Sequence, residues 1–256
     1  MSDIHPAARA GYQARAATYE RGRPGYPPDV AGWLRDTIGL APGKTVLELG
    51  AGSGKFTPNL VATGAEVIAV EPVDAMRERL AAANPGVRAI SGTAEAVPLA
   101  DSSVDAIVCA QAFHWFANAR ALAEMRRVLR VGGMLGLIWN VRDESVDWVA
   151  ALSRITDPLE GDAPRYHDGT WRRLFPAEGF GPLGDQRFTQ RHVGDPEDVI
   201  VGRTLSVSFI AALPLAEQQK VATHVRALIA ATPALAGKSE VAFPYDTLAY
   251  ACRRIS

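Results

Sequence analysis

The sequence has few cysteines and lacks long apolar runs. Only Cys109 and Cys252 occur among its 256 residues, and both lie in apolar stretches, so we expect buried, reduced thiols rather than a disulfide framework. No stretch approaches the roughly 20 apolar residues that a membrane-spanning helix needs, and residues 1–6 lack the apolar core of a signal peptide. We therefore expect a soluble, cytoplasmic protein without membrane contact.

The chain also has almost no net charge. Its 27 basic and 28 acidic residues leave a formal charge of −1, so no global field attracts nucleic acid or an anionic membrane. No run of lysine and arginine indicates a basic footprint, and we expect no nucleic-acid partner. The remaining composition, 48% hydrophobic and 21% charged, is ordinary for a soluble enzyme whose chain is long enough to bury a large core.

Apolar strand patterns alternate with helical patterns in the first part of the chain. The predicted strands are 45–49, 66–70, 87–91, 104–110 and 134–140. The predicted helices are 30–38 with Asp29 as N-cap, 54–63, 73–83, and one that ends at Gly132-Gly133. Strands separated by helices of this length indicate βαβ units and a parallel sheet with right-handed crossovers.

The pattern loosens after Asn140. Residues 143–160 have an amphipathic helical pattern, and residues 186–193 alternate like a strand. Two helices are predicted over 195–213 and 215–231, separated by Pro214, and the last strand or strands lie within 241–253. We expect residues 195–231 to form a cap inserted over a ligand pocket.

A glycine-rich turn follows the first predicted strand. The segment 45–56 reads TVLELGAGSGKF, in which Glu48 precedes Gly50, Gly52 and Gly54 at alternate positions. Glycine lets the backbone approach a ligand closely, and the following helix offers unpaired N–H groups. Because a carboxylate this close would repel a pyrophosphate, the motif favours a ligand with both positive and negative groups.

Acidic residues also follow the second and third strands. Glu71 lies 21 residues after Gly50, where a carboxylate can accept hydrogen bonds from both ribose hydroxyls. Glu95 follows the third strand, where it can accept a hydrogen bond from an adenine amino group. Carboxyl ends of parallel strands meet at one edge of a sheet, so these residues predict one nucleoside site.

The motif differs from the G-x-G-x-x-G of dinucleotide sites, and the chain resembles the class I S-adenosylmethionine-dependent methyltransferases. The resemblance covers about residues 36–142 and is carried by VLELGAGSG (46–54), Glu71, TAEAVPL (93–99) and VLRVGGML (128–135). The segment QAFHWF (111–116) is similar to a small-molecule branch that includes trans-aconitate methyltransferase. The resemblance implies a Rossmann-like, seven-stranded, mostly parallel α/β sheet with helices on both faces, an antiparallel last strand and a helical cap near the C-terminus.

The resemblance also implies the cofactor S-adenosylmethionine and a set of residues that bind it. The implied cofactor-binding residues are Tyr19, Arg23, Glu48, Gly50, Ala51, Gly52, Gly54, Glu71, Pro72, Met76, Ala94, Glu95, Gln111 and Ala112. Within this set, the glycine loop would hold the methionine end and Met76 would pack on adenine. Tyr19 and Arg23 belong to a predicted N-terminal lid and are candidates for the cofactor carboxylate.

The sequence identifies the residues of the methyl-acceptor site less specifically than those of the cofactor site. His114 is a candidate general base beside the predicted methyl group, with a packed or substrate-orienting histidine as the alternative. An ionised carboxylate acceptor needs no base. The candidate acceptor-binding residues are His114, Trp115, Phe116, Trp139, Arg142 and Trp171. His167 and His192 have no metal-ligand spacing, so we expect no metal.

We expect one domain over 1–256, with a lid (1–35), a cofactor core (36–142), a substrate-cap region with strand six (143–240) and a terminal strand (241–256). The predicted activity is methyl transfer to a small organic molecule, at oxygen first and otherwise at nitrogen or carbon. The alternatives are a nicotinamide-dependent oxidoreductase and a non-catalytic S-adenosylmethionine-binding regulatory protein. A nucleic-acid methyltransferase is disfavoured because QAFH (111–114) replaces the Asn/Asp-Pro-Pro-aromatic motif. Monomer and homodimer both stay open.

Overall fold

A computed structural model describes residues 23–256 and contains a single seven-stranded sheet within that range. The strands are β1 (Thr45–Leu49), β2 (Glu66–Val70), β3 (Arg88–Ile90), β4 (Val104–Ala110), β5 (Leu129–Arg142), β6 (Gly184–Gly194) and β7 (Val241–Arg253). Their order is β3-β2-β1-β4-β5-β7-β6. The first five strands are parallel, and β7 is antiparallel to both β5 and β6. The predicted α/β, mostly parallel sheet with an antiparallel last strand is confirmed.

Helices connect the strands and cover the sheet. The α-helices are α1 (Val30–Gly32), α2 (Thr57–Val61), α3 (Asp74–Ala83), α4 (Ala119–Val128), α5 (Asp147–Thr156), α6 (Arg203–Leu205), α7 (Ser208–Ala211) and α8 (Leu215–Ala231). Two π-helical segments, Trp33–Thr37 and Glu197–Gly202, continue α1 and precede α6. Each described helix is too short or too polar to cross a bilayer.

The residues of β1 and β4 alternate between two buried clusters. Leu47 and Ile107 pack in the cluster on one face of the sheet, whereas Val46 and Val108 pack in the cluster on the other. Successive side chains of a strand point to opposite faces, so a strand covered on both faces is apolar throughout. Cys109 and Cys252 lie in the first cluster as free, buried thiols, as expected.

A third buried cluster lies beyond the sheet, and we call it the cap cluster. It joins α5, α8, the π-helical segment Glu197–Gly202 and the first half of β7. Val149, Ile200, Val225 and Phe243 are completely buried in it. The elements inserted between β6 and β7 are therefore packed on the sheet through their own apolar core.

Several predicted boundaries are wrong. The Gly132-Gly133 pair does not end a helix: α4 ends at Val128 and β5 begins at Leu129. A Cβ on Gly133 would come within 2.6 Å of the Asp105 carbonyl oxygen, so this glycine permits close pairing with β4. The helix predicted over 195–213 is broken, because Val207 has an extended backbone between α6 and α7.

Two further corrections concern the helices beside β1. The helix predicted over 54–63 shortens to α2, because Gly54 has a φ of +83° and belongs to the turn. Asp29 occupies the N-cap position of α1, but its side chain accepts no capping hydrogen bond. Backbone hydrogen bonds between residues 27 and 33 instead stabilise the start of this helix.

Candidate active site

A cavity opens at the carboxyl ends of β1, β2 and β4, where the strand order reverses between β1 and β4. We call it the first cavity. The predicted residues that line it are Arg23, Glu48, Gly50, Ala51, Gly52, Glu71, Pro72, Met76, Ala94, Glu95, Gln111 and Ala112. Gly54 supports the turn from behind, where a Cβ would lie 2.6 Å from the Asn84 Nδ2 atom. Tyr19 lies outside the described residues.

The glycine loop adopts a conformation that few other residues tolerate. Gly50, Gly52 and Gly54 have φ values of +72°, +58° and +83°. A Cβ on Gly50 would lie 2.8 Å from the Ala112 Cβ, whereas a Cβ on Gly52 would meet no atom within 4 Å. The loop therefore packs tightly against the segment after β4 at Gly50 and is open at Gly52.

Glu48 is a carboxyl group with almost no access to water. It is 1% exposed and accepts a hydrogen bond of 2.6 Å from the Thr57 hydroxyl. Burial raises its pKa to about 8; the Thr57 hydrogen bond acts in the opposite direction, and the nearby Glu71 raises the pKa further. A cation bound beside Glu48 would compensate the buried negative charge.

The Glu71 carboxylate fixes the glycine loop and the next helix together. Its Oε2 accepts a hydrogen bond of 2.9 Å from the Gly52 N–H, and its Oε1 accepts one of 3.0 Å from the Val73 N–H. Burial raises the pKa of Glu71, and these two backbone hydrogen bonds lower it. Each oxygen keeps a lone pair, so the oriented carboxylate can still accept hydrogen bonds from hydroxyl groups in the cavity.

The far end of the first cavity is apolar with one carboxylate. Met76 and Ala94 are 2% and 4% exposed and line this end. Glu95 lies beside them, and its Oε1 accepts a hydrogen bond of 3.0 Å from the Asn118 side chain. A flat ring with a hydrogen-bond donor on its edge suits these surroundings.

Gln111 marks the point where β4 ends at the cavity. It has a φ of +56°, and among the non-glycine residues of the described chain only Ser102 shares a positive φ. Its Nε2 donates a hydrogen bond of 3.1 Å to the Asn140 carbonyl oxygen at the end of β5. Strained backbone that is held by its neighbours is common at functional sites.

The described part of the N-terminal segment lies across the first cavity. Arg23 donates a hydrogen bond of 3.1 Å to the Ser206 carbonyl oxygen, and Lys55 donates one to the Arg23 carbonyl oxygen. Asn140 donates a hydrogen bond of 2.8 Å to the Gly25 carbonyl oxygen. The segment thus connects the glycine loop, β5 and the inserted helices. Sequence reasoning missed Lys55, Asn140 and Arg203, which also line the cavity.

A second cavity adjoins the first. The residues that line both cavities are Arg23, Gln111, Trp115, Asn140 and Arg203. His114, Trp139 and Arg142, which are predicted acceptor residues, line the second cavity. Their side chains come from the segment after β4 and from the end of β5, so the sheet edge brings them together.

His114 is held as a neutral ring. Burial lowers its pKa to about 3; Arg165 and Arg23 lower it further and Asp168 opposes them. Its Nδ1 accepts a hydrogen bond of 3.0 Å from the Trp139 indole N–H. An accepting Nδ1 leaves the proton of the neutral ring on Nε2, which makes His114 a hydrogen-bond donor through that atom.

The predicted aromatic residues do not all line the second cavity. Phe116 lines the first cavity, where its ring lies against Gly50. Trp171 lines neither described cavity: it is 1% exposed, packs on Trp139 at a ring distance of 4.7 Å and donates its N–H to the Tyr166 carbonyl oxygen. Its ring fills the core behind Trp139, so a contact between Trp171 and the acceptor stays a prediction.

The donor set of the first cavity fits the expected cofactor. Glu48 offers a buried carboxyl group for an ammonium, Gly52 offers open space beside the loop, and Glu71 offers an oriented carboxylate for ribose hydroxyls. A dinucleotide pyrophosphate would face two carboxyl groups instead. Within residues 23–256, no group of three His, Cys, Asp or Glu side chains is arranged to hold a metal ion.

Comparisons with known proteins agree with this geometry. A family model described as a methyltransferase domain matches residues 47–137. An uncharacterised methyltransferase-like protein of Schizosaccharomyces pombe is 37% identical over 246 residues, which cover 95% of each chain. An uncharacterised methyltransferase of Mycobacterium tuberculosis is 40% identical over 237 residues, which cover 93% of each chain.

Solved structures share the fold. A putative type II methyltransferase from Anaeromyxobacter dehalogenans has a TM-score of 0.66 at 24% identity, with 91% of this chain and 98% of that chain covered. This likeness supports the seven-stranded architecture, and the full-length relatives carry the family assignment. The chain therefore belongs to the class I S-adenosylmethionine-dependent methyltransferases.

Proposed function

We propose that this enzyme transfers a methyl group to a small organic molecule, with oxygen as the first choice of acceptor atom and nitrogen or carbon as alternatives. The observation that carries the proposal is the wall shared by the two cavities. Gln111, Trp115 and Arg203 line both, so a ligand in the first cavity can present a group to a ligand in the second. The second cavity is bounded by α5 and the inserted helices, which suits a small molecule.

In this proposal the first cavity holds S-adenosylmethionine. Glu48 pairs with the ammonium, Glu71 accepts hydrogen bonds from the ribose hydroxyls, and Met76 and Glu95 contact the adenine. When bound, the cofactor supplies an electrophilic methyl group on a sulfonium, and its leaving group is a neutral thioether. Arg23 and Gln111 line the junction where the methyl group and the acceptor would meet.

The chain contributes orientation and exclusion of water. The N-terminal segment is hydrogen-bonded to Lys55, Asn140 and Ser206 and covers the junction from one side. Holding two reactants in line can supply about 7–11 kcal/mol of barrier reduction in favourable cases. We infer that residues 143–240 select the acceptor, since α5, the segment 157–167, Arg203, Val207 and Ser208 form most of the remaining walls.

His114 acts in this proposal as an orienting donor and not as the general base. A ring with a pKa of about 3 has little capacity to take a proton at neutral pH, and Trp139 occupies its Nδ1. The Nε2–H can instead donate a hydrogen bond to an acceptor oxygen. This role favours acceptors that carry no proton on the reacting atom.

The first experiment separates the cofactor classes. S-Adenosylhomocysteine is expected to raise Tm in a saturable way, whereas NAD is expected to leave it unchanged, because a ligand that binds the folded state stabilises it. An equal or larger shift with NAD would contradict the methyltransferase proposal.

The second experiment tests turnover. The enzyme and S-adenosylmethionine with a labelled methyl group are incubated with a small-molecule cell extract, and products are read by mass spectrometry for a gain of one methyl group. Loss of label in mild alkali identifies methyl esters, and stable label identifies ethers, amines or C-methyl products. Binding of S-adenosylhomocysteine without labelled product from extracts would favour the non-catalytic alternative.

A further inference from the structure

Arg203 carries a partly buried charge that forms no ion pair within the described residues. It follows the π-helical segment Glu197–Gly202 at the start of α6 and lines both cavities. Its Nε and Nη1 atoms are shielded from solvent and have no hydrogen-bond partner within residues 23–256. Leaving a buried charged donor unsatisfied is costly, so these two nitrogens call for a partner such as a bound ligand, ion or water.

Other cations surround Arg203. Arg23, Arg142 and Arg165 line the second cavity with it, and each lowers the pKa of Arg203. Burial is the largest cause and brings that pKa to about 10, so the guanidinium stays charged at neutral pH. Tyr245 acts in the opposite direction, and its buried hydroxyl also has no partner among the described residues.

The acidic residues of the second cavity do not compensate Arg203. Glu144 and Asp157 are exposed at the rim, and Glu144 accepts a hydrogen bond of 2.6 Å from Ser153. Glu160 lies 3.4 Å from Arg165 and 3.2 Å from His167. Within residues 23–256, none of these three carboxylates forms an ion pair with Arg203.

We propose that the methyl acceptor is an organic acid and that a carboxylate of this acid pairs with Arg203. The guanidinium presents a planar fork of donors that matches the two oxygens of a carboxylate. The inference rests on the proposed function, since it names the substrate class of the same site.

The carboxylate of the methionine end is the competing partner, because Arg203 lines both cavities. Arg142 and Arg165 line the second cavity and are absent from the described wall of the first. The positive charges around Arg203 therefore extend towards the acceptor side. We assign Arg203 to the acceptor on this ground.

The test uses protein saturated with S-adenosylhomocysteine. Acetate and benzoate are titrated at constant ionic strength against their neutral counterparts, acetamide and benzamide, and Tm is measured. We expect the acids to raise Tm by about 2 °C or more and the amides to have no effect. The variants are Arg203→Met, Arg203→Lys and, as a matched control, Arg173→Met, which changes an exposed arginine outside both cavities.

Arg173→Met should retain the full shift, Arg203→Met should lose it, and Arg203→Lys should keep part of it, because lysine retains the charge but not the fork. The Kd of S-adenosylhomocysteine should stay within twofold in Arg203→Met. Equal shifts with acids and amides, no shift in the unmodified enzyme, or a full shift in Arg203→Met would overturn the proposal. A tenfold weaker Kd for S-adenosylhomocysteine in Arg203→Met would assign this residue to the cofactor instead.

The outcomes also separate this inference from the proposed function. If S-adenosylhomocysteine does not bind the unmodified enzyme, the proposed function fails, whatever the acids do. If it binds and only neutral molecules become methylated, the proposed function holds and the organic-acid acceptor is wrong. Should Arg203→Met fail to fold, Arg203→Lys and the acid–amide comparison in the unmodified enzyme still decide.

Discussion

Glu48 is a residue whose chemistry is set by its surroundings in the fold. Its carboxyl group is 1% exposed and has a pKa near 8, mainly because burial disfavours the charged form. The ligand-free protein at neutral pH therefore favours the protonated form. Binding of an ammonium would favour ionisation, so ligand binding and proton release should be coupled at this residue.

The first prediction concerns stability and pH. The folded state binds the Glu48 proton more tightly than the unfolded state, whose pKa is near 4.5, so the free energy of unfolding should fall as pH rises from about 4.5 to about 8. Each unit of pKa difference is worth about 1.4 kcal/mol. In Glu48→Gln, the decrease in the free energy of unfolding over this pH range should be smaller by a few kcal/mol. Urea unfolding at both ends of the range measures it.

Glu48→Gln should also bind S-adenosylhomocysteine more weakly. Without the carboxylate, the binding free energy of S-adenosylhomocysteine should weaken by about 2 kcal/mol or more, which is the cost of removing one partner of a buried charge pair. Glu78→Gln is the control, because Glu78 is an exposed carboxylate of α3 that lines neither cavity. An unchanged pH slope in Glu48→Gln, or an unchanged Kd, would contradict the role assigned to this residue.

The second prediction concerns His114. Glutamine keeps a side-chain N–H donor, so His114→Gln should retain kcat within about tenfold, whereas loss of a general base typically costs about 10²–10⁴-fold. Because the His114 pKa is about 3, the rate should show no inflection from this residue between pH 5 and 8. His167→Gln is the control in the same cavity. An inflection near neutral pH that disappears only in His114→Gln would restore the base hypothesis.

At the scale of elements, the glycine loop depends on two different constraints. Gly50 and Gly52 both have positive φ, but only at Gly50 would a side chain collide with a neighbouring element. The loop conformation is visible in the sequence as alternate glycines. The collision is not visible in the sequence, because Ala112 and Phe116 approach Gly50 from the segment after β4, which lies more than 50 residues away in the chain.

The third prediction uses this pair. Gly50→Ala and Gly52→Ala should both lose about 1–3 kcal/mol from backbone strain. Gly50→Ala should lose at least about 1 kcal/mol more, because its Cβ would lie 2.8 Å from the Ala112 Cβ. Thermal and urea unfolding measure the difference, and both variants should bind S-adenosylhomocysteine more weakly. Equal destabilisation of the two variants would show that contact with Ala112 is unimportant.

Several helix boundaries predicted from sequence patterns differ from those in the structure. The Gly132-Gly133 pair has the composition of a helix end, yet it lies inside β5 because Gly133 packs against the backbone of β4. The apolar stretch around 199–210 has a helical pattern, but the chain divides it into a π-helical segment and two short helices. Local pattern predicts the type of element better than the point at which tertiary contacts end it.

At the scale of the whole molecule, the sheet and the cap cluster have separate cores joined by β7. The first half of β7 belongs to the cap cluster, and its second half pairs with the centre of β5. The first cavity is built mainly by the parallel strands, whereas the second is closed by α5 and the inserted helices. Cofactor and acceptor binding should therefore respond differently to changes in the two cores.

The fourth prediction compares two variants that each remove one methylene, one from the core of the sheet and one from the cap cluster. Ile200 and Ile107 are both completely buried, the first in the cap cluster and the second in β4, where it packs on one face of the parallel sheet. Ile200→Val and Ile107→Val should each cost about 0.5–1.5 kcal/mol. In Ile200→Val, hydrogen exchange should rise over residues 197–231 while the Kd of S-adenosylhomocysteine stays within twofold, since the parallel sheet is untouched. Faster exchange throughout β1–β5 in this variant would show that the two cores open together.

The sequence by itself determined the alternation of strands and helices, the class of ligand at the glycine loop and the acidic residues that follow β2 and β3. These features are local: glycine tolerance of positive φ and the meeting of strand ends at one sheet edge need no distant contact. Only the tertiary structure decided that Trp171 is core, that the Nδ1 atom of His114 accepts a hydrogen bond from Trp139, and that two Arg203 nitrogens are shielded without a partner among the described residues. Burial and hydrogen-bond pairing arise from segments far apart in the chain, and these long-range contacts set the pKa, orientation and role of each side chain.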